Sequence, residues 1–397
     1  MTSAKLAING GDPVRKGMLP YGRQVIDESD ISAVESVLRS DWLTTGPQIA
    51  KFETAFAHAT DSKHAVAVSN GTAALHTMLA AAGIGPGDEV IVPAITFAAT
   101  ANAALYLGAI PVFADVDPDS LLISPADVRA KLNVRTKAVV PVDFAGQPAD
   151  YDAIESALAG YKCAVMSDAC HALGGTYHGR TVGSLSEASS FSFHPVKHVA
   201  AGEGGAVTTD DPSVAEAMRV FRSHGITSDH AQRRRKGTWE YEMVRLGFNY
   251  RLSDIHAALA GSQLTKLGRS VARRQELAVR YDSAFSGVDA VEPLTTAPEV
   301  SNAYHIYVVQ LRLDKLDVDR GQVFAALRAE NIGVNVHYMP VPWHPYYRDL
   351  GYEPGSWPVA EAAYERMLTL PLHAGMTDQD QEQAIEAMLK VISAYSA

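Results

Sequence analysis

His64-Ala-Val-Ala-Val-Ser-Asn-Gly-Thr-Ala-Ala-Leu75 is the stretch whose reading sets the fold. A short apolar strand, His64 to Ser69, meets an Asn70-Gly71 turn, and an apolar helix runs from Thr72 to Ala82, where Gly83 ends it. A short apolar run bounded by turn residues suits a strand buried on both faces. The unit then recurs. Glu89-Val-Ile-Val-Pro93 precedes a helical stretch from about Phe97 to Leu107, and 110–115, 138–142 and 164–167 continue the series. Strands alternating with helices at this spacing predict an α/β fold with a mostly parallel sheet covered on both faces. Ligands of such sheets bind beyond the carboxyl ends of the strands, where Thr72 falls.

Two more residues fall there. Asp168 closes the buried-strand pattern Val165-Met-Ser-Asp168-Ala-Cys-His171. Lys197 lies in Ser189-Ser-Phe-Ser-Phe-His-Pro-Val-Lys197-His-Val-Ala-Ala-Gly-Glu-Gly-Gly-Ala206, where an aromatic-rich strand leads to a glycine-rich turn and a second apolar strand leaves at Ala206. An amine and a carboxylate so placed are the two groups pyridoxal phosphate needs. The amine bonds to its aldehyde, and the carboxylate keeps the pyridine nitrogen protonated so that the ring acts as an electron sink.

The surrounding residues extend this reading. Gly71 permits the tight turn, and the first amides of the helix with the Thr72 hydroxyl make an anion site, to which Ser192 adds a hydroxyl. Read alone, the turn is an ordinary strand-to-helix connection with a threonine cap. Phe97 opens a helix directly after a strand, placed either to lie on a planar cofactor or to fill the core. His171 is a partner for the cofactor ring oxygen or for Asp168, or else a satisfied interior histidine. The rival dinucleotide fingerprint fails, because Gly202-Glu-Gly204-Gly-Ala-Val207 lacks the third glycine and leads into a strand. A zinc reading of His194 and His198 is poor, with Pro195 between them and no carboxylate at ligand spacing. Arg233-Arg-Arg-Lys236, the one basic run, reads as a solvated loop or as a loop for a sugar-nucleotide diphosphate.

The bulk numbers bound the rest. A chain of 397 residues, 47% hydrophobic, can bury a large domain and a smaller one. A net charge of −11 argues against nucleic acid and against anionic membranes as partners. Two cysteines, Cys163 and Cys170, make no disulfide framework, so a reducing compartment is expected. The N-terminal residues show no signal peptide, and no stretch approaches the ~20 apolar residues of a membrane span. A cytoplasmic protein is expected. After Leu264 the texture changes to a charged helix (266–285), a strand at Tyr304–Leu311, a helix near 319–330, the segment 332–337 and two C-terminal helices. That places a domain boundary near 265, giving 1–265 and 266–397.

Taken together, Leu43-Thr-Thr-Gly-Pro47, Asn70-Gly-Thr-Ala-Ala-Leu75, Asp168-Ala-Cys-His171, Ser192-Phe-His-Pro-Val-Lys197, Gly202-Glu-Gly-Gly205 and Gly247-Phe-Asn-Tyr-Arg-Leu-Ser-Asp254 resemble the DegT/DnrJ/EryC1/StrS sugar aminotransferases from about Leu19 to near the C-terminus. The resemblance implies the fold type I architecture of aspartate aminotransferase and a homodimer. It implies that Lys197 carries the cofactor, that Asp168 pairs with the pyridine nitrogen, and that Gly71, Thr72, the Ala73 amide and Ser192 hold the phosphate. Phe97 matches the ring-stacking position, and His171 stands where many relatives carry glutamine. Asn249 is implied to reach the phosphate in the neighbouring subunit. Thr45, His194, Tyr250, Arg251, Tyr304, His337 and Tyr338 are implied contacts of the sugar nucleotide, with His305 and Trp343 in the same part of the chain. Some relatives are dehydratases with histidine in place of the lysine; Lys197 favours transamination. Leu19-Pro-Tyr-Gly-Arg-Gln-Val-Ile-Asp27, Arg222-Ser-His-Gly-Ile226, Trp239-Glu-Tyr-Glu-Met243, Ala303-Tyr-His-Ile-Tyr-Val308 and Val336-His-Tyr-Met-Pro-Val341 resemble the pseudaminic-acid branch of the family, although 199–202 reads Val-Ala-Ala-Gly rather than Ile-Thr-Thr-Gly. That branch implies L-glutamate as donor and carbon 4 of a UDP-linked 2-acetamido-2,6-dideoxy-4-keto-hexose as acceptor. A non-catalytic dimer that keeps the fold is the alternative from another class.

Overall fold

The computed structural model describes residues 5–228, 232–233 and 237–396. Strands β1 (His64–Val68), β2 (Glu89–Pro93), β3 (Ile110–Ala114), β4 (Thr136–Val139), β5 (Ala164–Asp168), β6 (Thr176–Tyr177), β7 (Arg180–Thr181), β8 (Ala188–Ser192) and β9 (Gly205–Thr209) make up the first half of the chain with their helices. Seven of them form one sheet in the order β1-β9-β8-β5-β4-β2-β3. Pairs from β8 through β5, β4 and β2 to β3 are parallel, and β9 runs antiparallel to both its neighbours. The expected mostly parallel sheet is therefore present. Its one reversed strand follows from the short β8–β9 connection, which is a hairpin rather than a crossover.

Burial explains why these strands are continuous apolar runs. All five residues of β2 are buried, as are all five of β9. One apolar core, including Val66, Leu75, Met78, Val90 and Phe113, lies on one side of the sheet. A second, including Phe52, Phe56, Ile91, Val165 and Phe193, lies on the other. Helix Gly71–Ala81 is buried along nearly its whole length, which its alanine-rich sequence allows. Two further helices, Glu28–Leu38 and Pro47–Ala59, precede the first strand.

Further on, β10 (Val291–Pro293), β11 (Val300–Ser301), β12 (Tyr307–Leu311) and β13 (Met367–Leu370) appear. The order β10-β12-β13 makes a small antiparallel sheet, while β11 pairs with β6 of the first half. A third core, around Tyr281, Val309, Leu327, Leu368 and Met388, covers that sheet. It also takes in Leu6 and Leu19, and Glu330 accepts the Ala7 and Val14 amides at 2.9 Å each. Helix Leu267–Phe285 bridges the two parts, giving Leu267 and Val271 to one core and Leu277 and Tyr281 to another. Among the described residues no helix is long and apolar enough to cross a membrane.

One family-like motif has a structural duty here. Asp254, fully buried, accepts the Gly46 amide at 2.7 Å and the Gln48 amide at 2.9 Å. It thus caps helix Pro47–Ala59 from a distant segment, because Gly46 offers no side-chain cap. Asp254→Ala should cost about 1–3 kcal/mol in chemical denaturation, the penalty of two orphaned buried amides. A stability within error of wild type would contradict this capping role.

Candidate active site

The carboxyl ends of β1, β5 and β8 meet in one crevice. At the first, Asn70 rather than Thr72 caps the following helix, its Oδ1 accepting the Ala73 amide at 2.8 Å. This alters the expected anion site, since the Ala73 N–H is already taken. The amides of Gly71 and Thr72 and the hydroxyls of Thr72 and Ser192 are the donors left to meet an anion. Gly71 is required for their convergence: a Cβ there would stand 2.8 Å from Ser192 Cβ and 3.2 Å from its Oγ. That hydroxyl is thereby set against the helix N-terminus, with Cys170 Sγ close by on the same glycine.

Asp168 is the last residue of β5 and only 5% exposed. Thr100 donates to its Oδ2 at 2.7 Å, and the Cys170 amide approaches Oδ1 at 3.2 Å. Thr100 is in turn 2.7 Å from the Thr96 hydroxyl. A buried carboxylate held by these donors has a fixed direction, and Thr100 carried no signal that sequence reading had used.

β8 ends at Ser192, so Lys197 sits in the hairpin loop rather than on the strand. A turn from the Lys197 amide to the His194 carbonyl, 2.8 Å, shapes that loop. The Lys197 amine lies 3.2 Å from His305 Nε2. Burial lowers its pKa below the ordinary lysine value; Cys170 and Asp168 oppose this shift and Arg274 adds to it.

From His305 the site closes as a chain of rings. His305 and His171 centroids are 4.4 Å apart, His171 Nε2 is 3.1 Å from the Tyr338 hydroxyl, and Tyr338 packs at 6.1 Å from Phe97. Phe97 is 60% exposed, so it is not a core residue and keeps an aromatic surface open. Burial depresses the pKa of His171 and His305 well below the imidazole range, and those of His198 and His337 to about 3 and about 4. Lys197 and Asp168 thus lie among neutral imidazoles.

Arg274, buried on helix Leu267–Phe285, pins the frame: one guanidinium nitrogen donates to the carbonyls of Tyr304, His305 and Leu372 at 3.0–3.1 Å. Arg274 was missed as a site residue because its partners are remote in sequence, and His305, expected near the sugar nucleotide, stands beside the Lys197 amine instead. The Tyr-His-Ile-Tyr pattern was the available signal for His305.

The remaining expected residues divide. His337 is close by, bonded to Thr369 at 2.9 Å and in ring contact with Tyr338. Tyr304 is turned away, its hydroxyl hydrogen-bonded to the Thr296 side chain, so within one chain it is not brought to Lys197. Thr45 and Arg251 line a separate cavity of about 960 Å³ with Trp42, Arg222 and His224. Tyr250 is 3.1 Å from His76 Nδ1, while Asn249 and His194 are exposed. Trp343 packs on Tyr364. His194 and His198 diverge, the latter bonding the Ala303 carbonyl at 2.9 Å. No group of three metal-ligating side chains is found among the described residues. Of the basic run, Arg233 lies over Tyr241, and Arg234, Arg235 and Lys236 lie outside the described residues.

An amine, a buried oriented carboxylate, an open aromatic face and a glycine-dependent anion cradle fit pyridoxal phosphate group by group.

Comparison with known proteins agrees. The model of the DegT/DnrJ/EryC1/StrS aminotransferase family matches residues 24–389. The spore coat polysaccharide biosynthesis protein SpsC of Bacillus subtilis is 42% identical over 95% of this chain and 98% of its own. Helicobacter pylori PseC, an aminotransferase of pseudaminic acid biosynthesis, superposes with a TM-score of 0.89 at 31% identity, covering 95% of this chain and 100% of that one. Spr1654 of Streptococcus pneumoniae, provisionally described as a sugar aminotransferase, was solved in its PMP form. It superposes at 0.89 with 32% identity over 94% and 99% of the two chains.

Gly71→Ala should weaken pyridoxal phosphate binding by about tenfold or more, as the methyl group drives Ser192 from the cradle. Unchanged affinity by fluorescence titration would remove the anion site from this turn.

Proposed function

The chain belongs to the DegT/DnrJ/EryC1/StrS aminotransferase family, and from that premise we propose a pyridoxal-phosphate-dependent sugar aminotransferase working as a homodimer. The donor is L-glutamate. The acceptor is carbon 4 of a UDP-linked 2-acetamido-2,6-dideoxy-4-keto-hexose. One observation carries the chemistry: Lys197 in the β8–β9 loop, Asp168 at the end of β5 and the Gly71–Ser192 cradle converge at one edge of the sheet. Likeness to PseC over nearly the whole chain supports the sugar. SpsC, at 42% identity, favours a second reading in which a different keto sugar destined for a polysaccharide is aminated.

When bound, the cofactor supplies an electron sink that stabilises negative charge at the carbon losing a proton. The chain's own residues do the rest. Asp168 holds the proton on the pyridine nitrogen, and Thr100 keeps its carboxylate from rotating away. Phe97 would cover a ring face, and Ser192 with Thr72 would hold the phosphate end. Lys197 Nζ would take the proton from the donor's α-carbon and hold it, which requires a neutral amine. Burial shifts Lys197 toward that form, and His305 receives the amine without offering it a negative partner. His337 and Tyr338, from the part after 265, close the acceptor side, so the chain divides functionally into 1–265 and 266–397. The N-terminal residues packed on the third core are the exception.

The dimer is supported by an unusual surface. Trp239, Tyr241, Met243, Val244, Leu246 and Phe248 are all exposed, Trp239 at 83% and Leu246 at 78%, directly beside Asn249. An apolar stretch of this size on a lone subunit asks for cover. A second copy would bring Asn249 toward its partner's phosphate cradle.

Lys197→Ala should cut turnover by at least about a thousandfold and abolish borohydride labelling by the cofactor. A label at another lysine would refute the assignment. Asn249→Ala should leave the dimer intact in sedimentation while lowering cofactor affinity several-fold. Wild-type affinity would break the cross-subunit contact. Incubation with glutamate and a panel of UDP-keto-sugars, read by mass spectrometry, tests the substrate; no aminated 4-keto product would sink it.

A further inference from the structure

Behind Asp168 lies a second carboxyl group that the mechanism does not use. We propose that Asp143 is a positioning residue for Asp168: a carboxylic acid held in its protonated form, closing a ring of three oxygen groups with Tyr151 and Ser167. The role presupposes the function given to Asp168 above.

The geometry sets a proton count. Asp143 Oδ1 is 2.8 Å from the Tyr151 hydroxyl, that hydroxyl is 2.7 Å from Ser167 Oγ, and Ser167 Oγ is 3.0 Å from Asp143 Oδ2. All three residues are buried, Asp143 and Ser167 completely. Three oxygen–oxygen contacts need three protons, and the two hydroxyls carry one each. With Asp143 ionised, one contact sets lone pair against lone pair at a site closed to solvent. With Asp143 protonated the ring closes: Oδ2–H donates to Ser167, Ser167 to Tyr151, and Tyr151 to Oδ1. The Ala149 amide also donates to Oδ1, at 3.0 Å.

The ring is joined to Asp168 through the backbone. Ser167 precedes Asp168, the Asp143 amide donates to the Asp168 carbonyl at 3.0 Å, and the Asp168 amide donates to the Pro141 carbonyl at 2.9 Å. Fixing Asp143 and Ser167 therefore fixes the backbone from which the Asp168 carboxylate is aimed. A neutral Asp143 also leaves Asp168 as the sole anion of that pair. The titratable groups facing Asp143 are Tyr151 in the ring and Asp168 across the strand pair; no ion pair reaches it among the described residues. Asp150 is directed elsewhere, to the Ala153 amide and the Tyr177 hydroxyl. Burial raises the Asp143 pKa to about 7, against the opposing hydrogen bonds and with a smaller contribution from Asp168.

The sign of the pH effect follows. A carboxyl with a raised folded-state pKa contributes its full stability below the ordinary carboxyl range and loses it as pH climbs through about 7. Asparagine mimics the protonated acid, its amide donating to Ser167 and its oxygen accepting from Tyr151 and Ala149. The test begins with infrared difference spectra of the cofactor-free protein at pH 6, wild type minus Asp143→Asn, which should show the carbonyl stretch of a protonated acid. Asp143→Ala should slow cofactor capture by about tenfold, and Asp143→Asn should restore it to within about twofold. The fall in melting temperature between the ordinary carboxyl range and about pH 7 should flatten in Asp143→Asn. Absence of the acid band, or an asparagine variant as impaired as alanine, overturns the proposal. If Asp143→Ala does not fold, the band and the asparagine variant still decide. Failure of wild type to capture cofactor at Lys197 would instead strike the functional reading and leave the acid band untouched.

Discussion

A carboxyl group buried at the end of an interior strand is the constraint around which this molecule is arranged. Asp168 is almost wholly removed from water, and an anion so placed needs donors aimed at it. Thr100 and the Cys170 amide provide them. Both come from loops or helix starts at the same edge of the sheet, so the direction of the carboxylate is set by the order of the strands. The lysine loop between β8 and β9 and the turn after β1 are neighbours for the same reason, because β9 lies between β1 and β8 and pairs with both.

The rest of the crevice avoids competing charge. His171, His198, His305 and His337 all lie near Lys197, and burial keeps each of them neutral. Arg274, a second basic group there, is satisfied by backbone carbonyls rather than by an acid. Charge is thus concentrated in few groups, and a small displacement of a proton on Lys197 is felt strongly in surroundings of low polarity.

Much of this was legible in the chain. Strand β2 coincides with Glu89–Pro93 as read, and β1, β3 and β5 with their apolar runs, because parallel strands buried on both faces need no other signal. Asp168 and Lys197 were visible because their neighbours place them at strand ends. What escaped depends on contacts between distant segments. Thr100 is 68 residues from Asp168, and His305 is 108 from Lys197. Strand β13, Met367–Leu370, hides between two helices and is defined by its partner β12. The Asn70 cap was misread as belonging to Thr72 because both residue types cap helices well, and only the Asn70 side chain points back to Ala73. Thr45 and Arg251 line a cavity apart from Lys197 within one chain, a placement that their motifs do not reveal.

The Arg274 clamp has a mechanical consequence. One planar group grips the carbonyls of Tyr304, His305 and Leu372, and Tyr281 on the same helix grips that of Pro371 at 2.8 Å. Helix Leu267–Phe285 is therefore a rigid lever: whatever tilts it carries the imidazole beside the lysine and the segment before the C-terminal helix along together. Any opening or closing of this end of the molecule would travel as a single stroke, with the amine's neighbour as its tip.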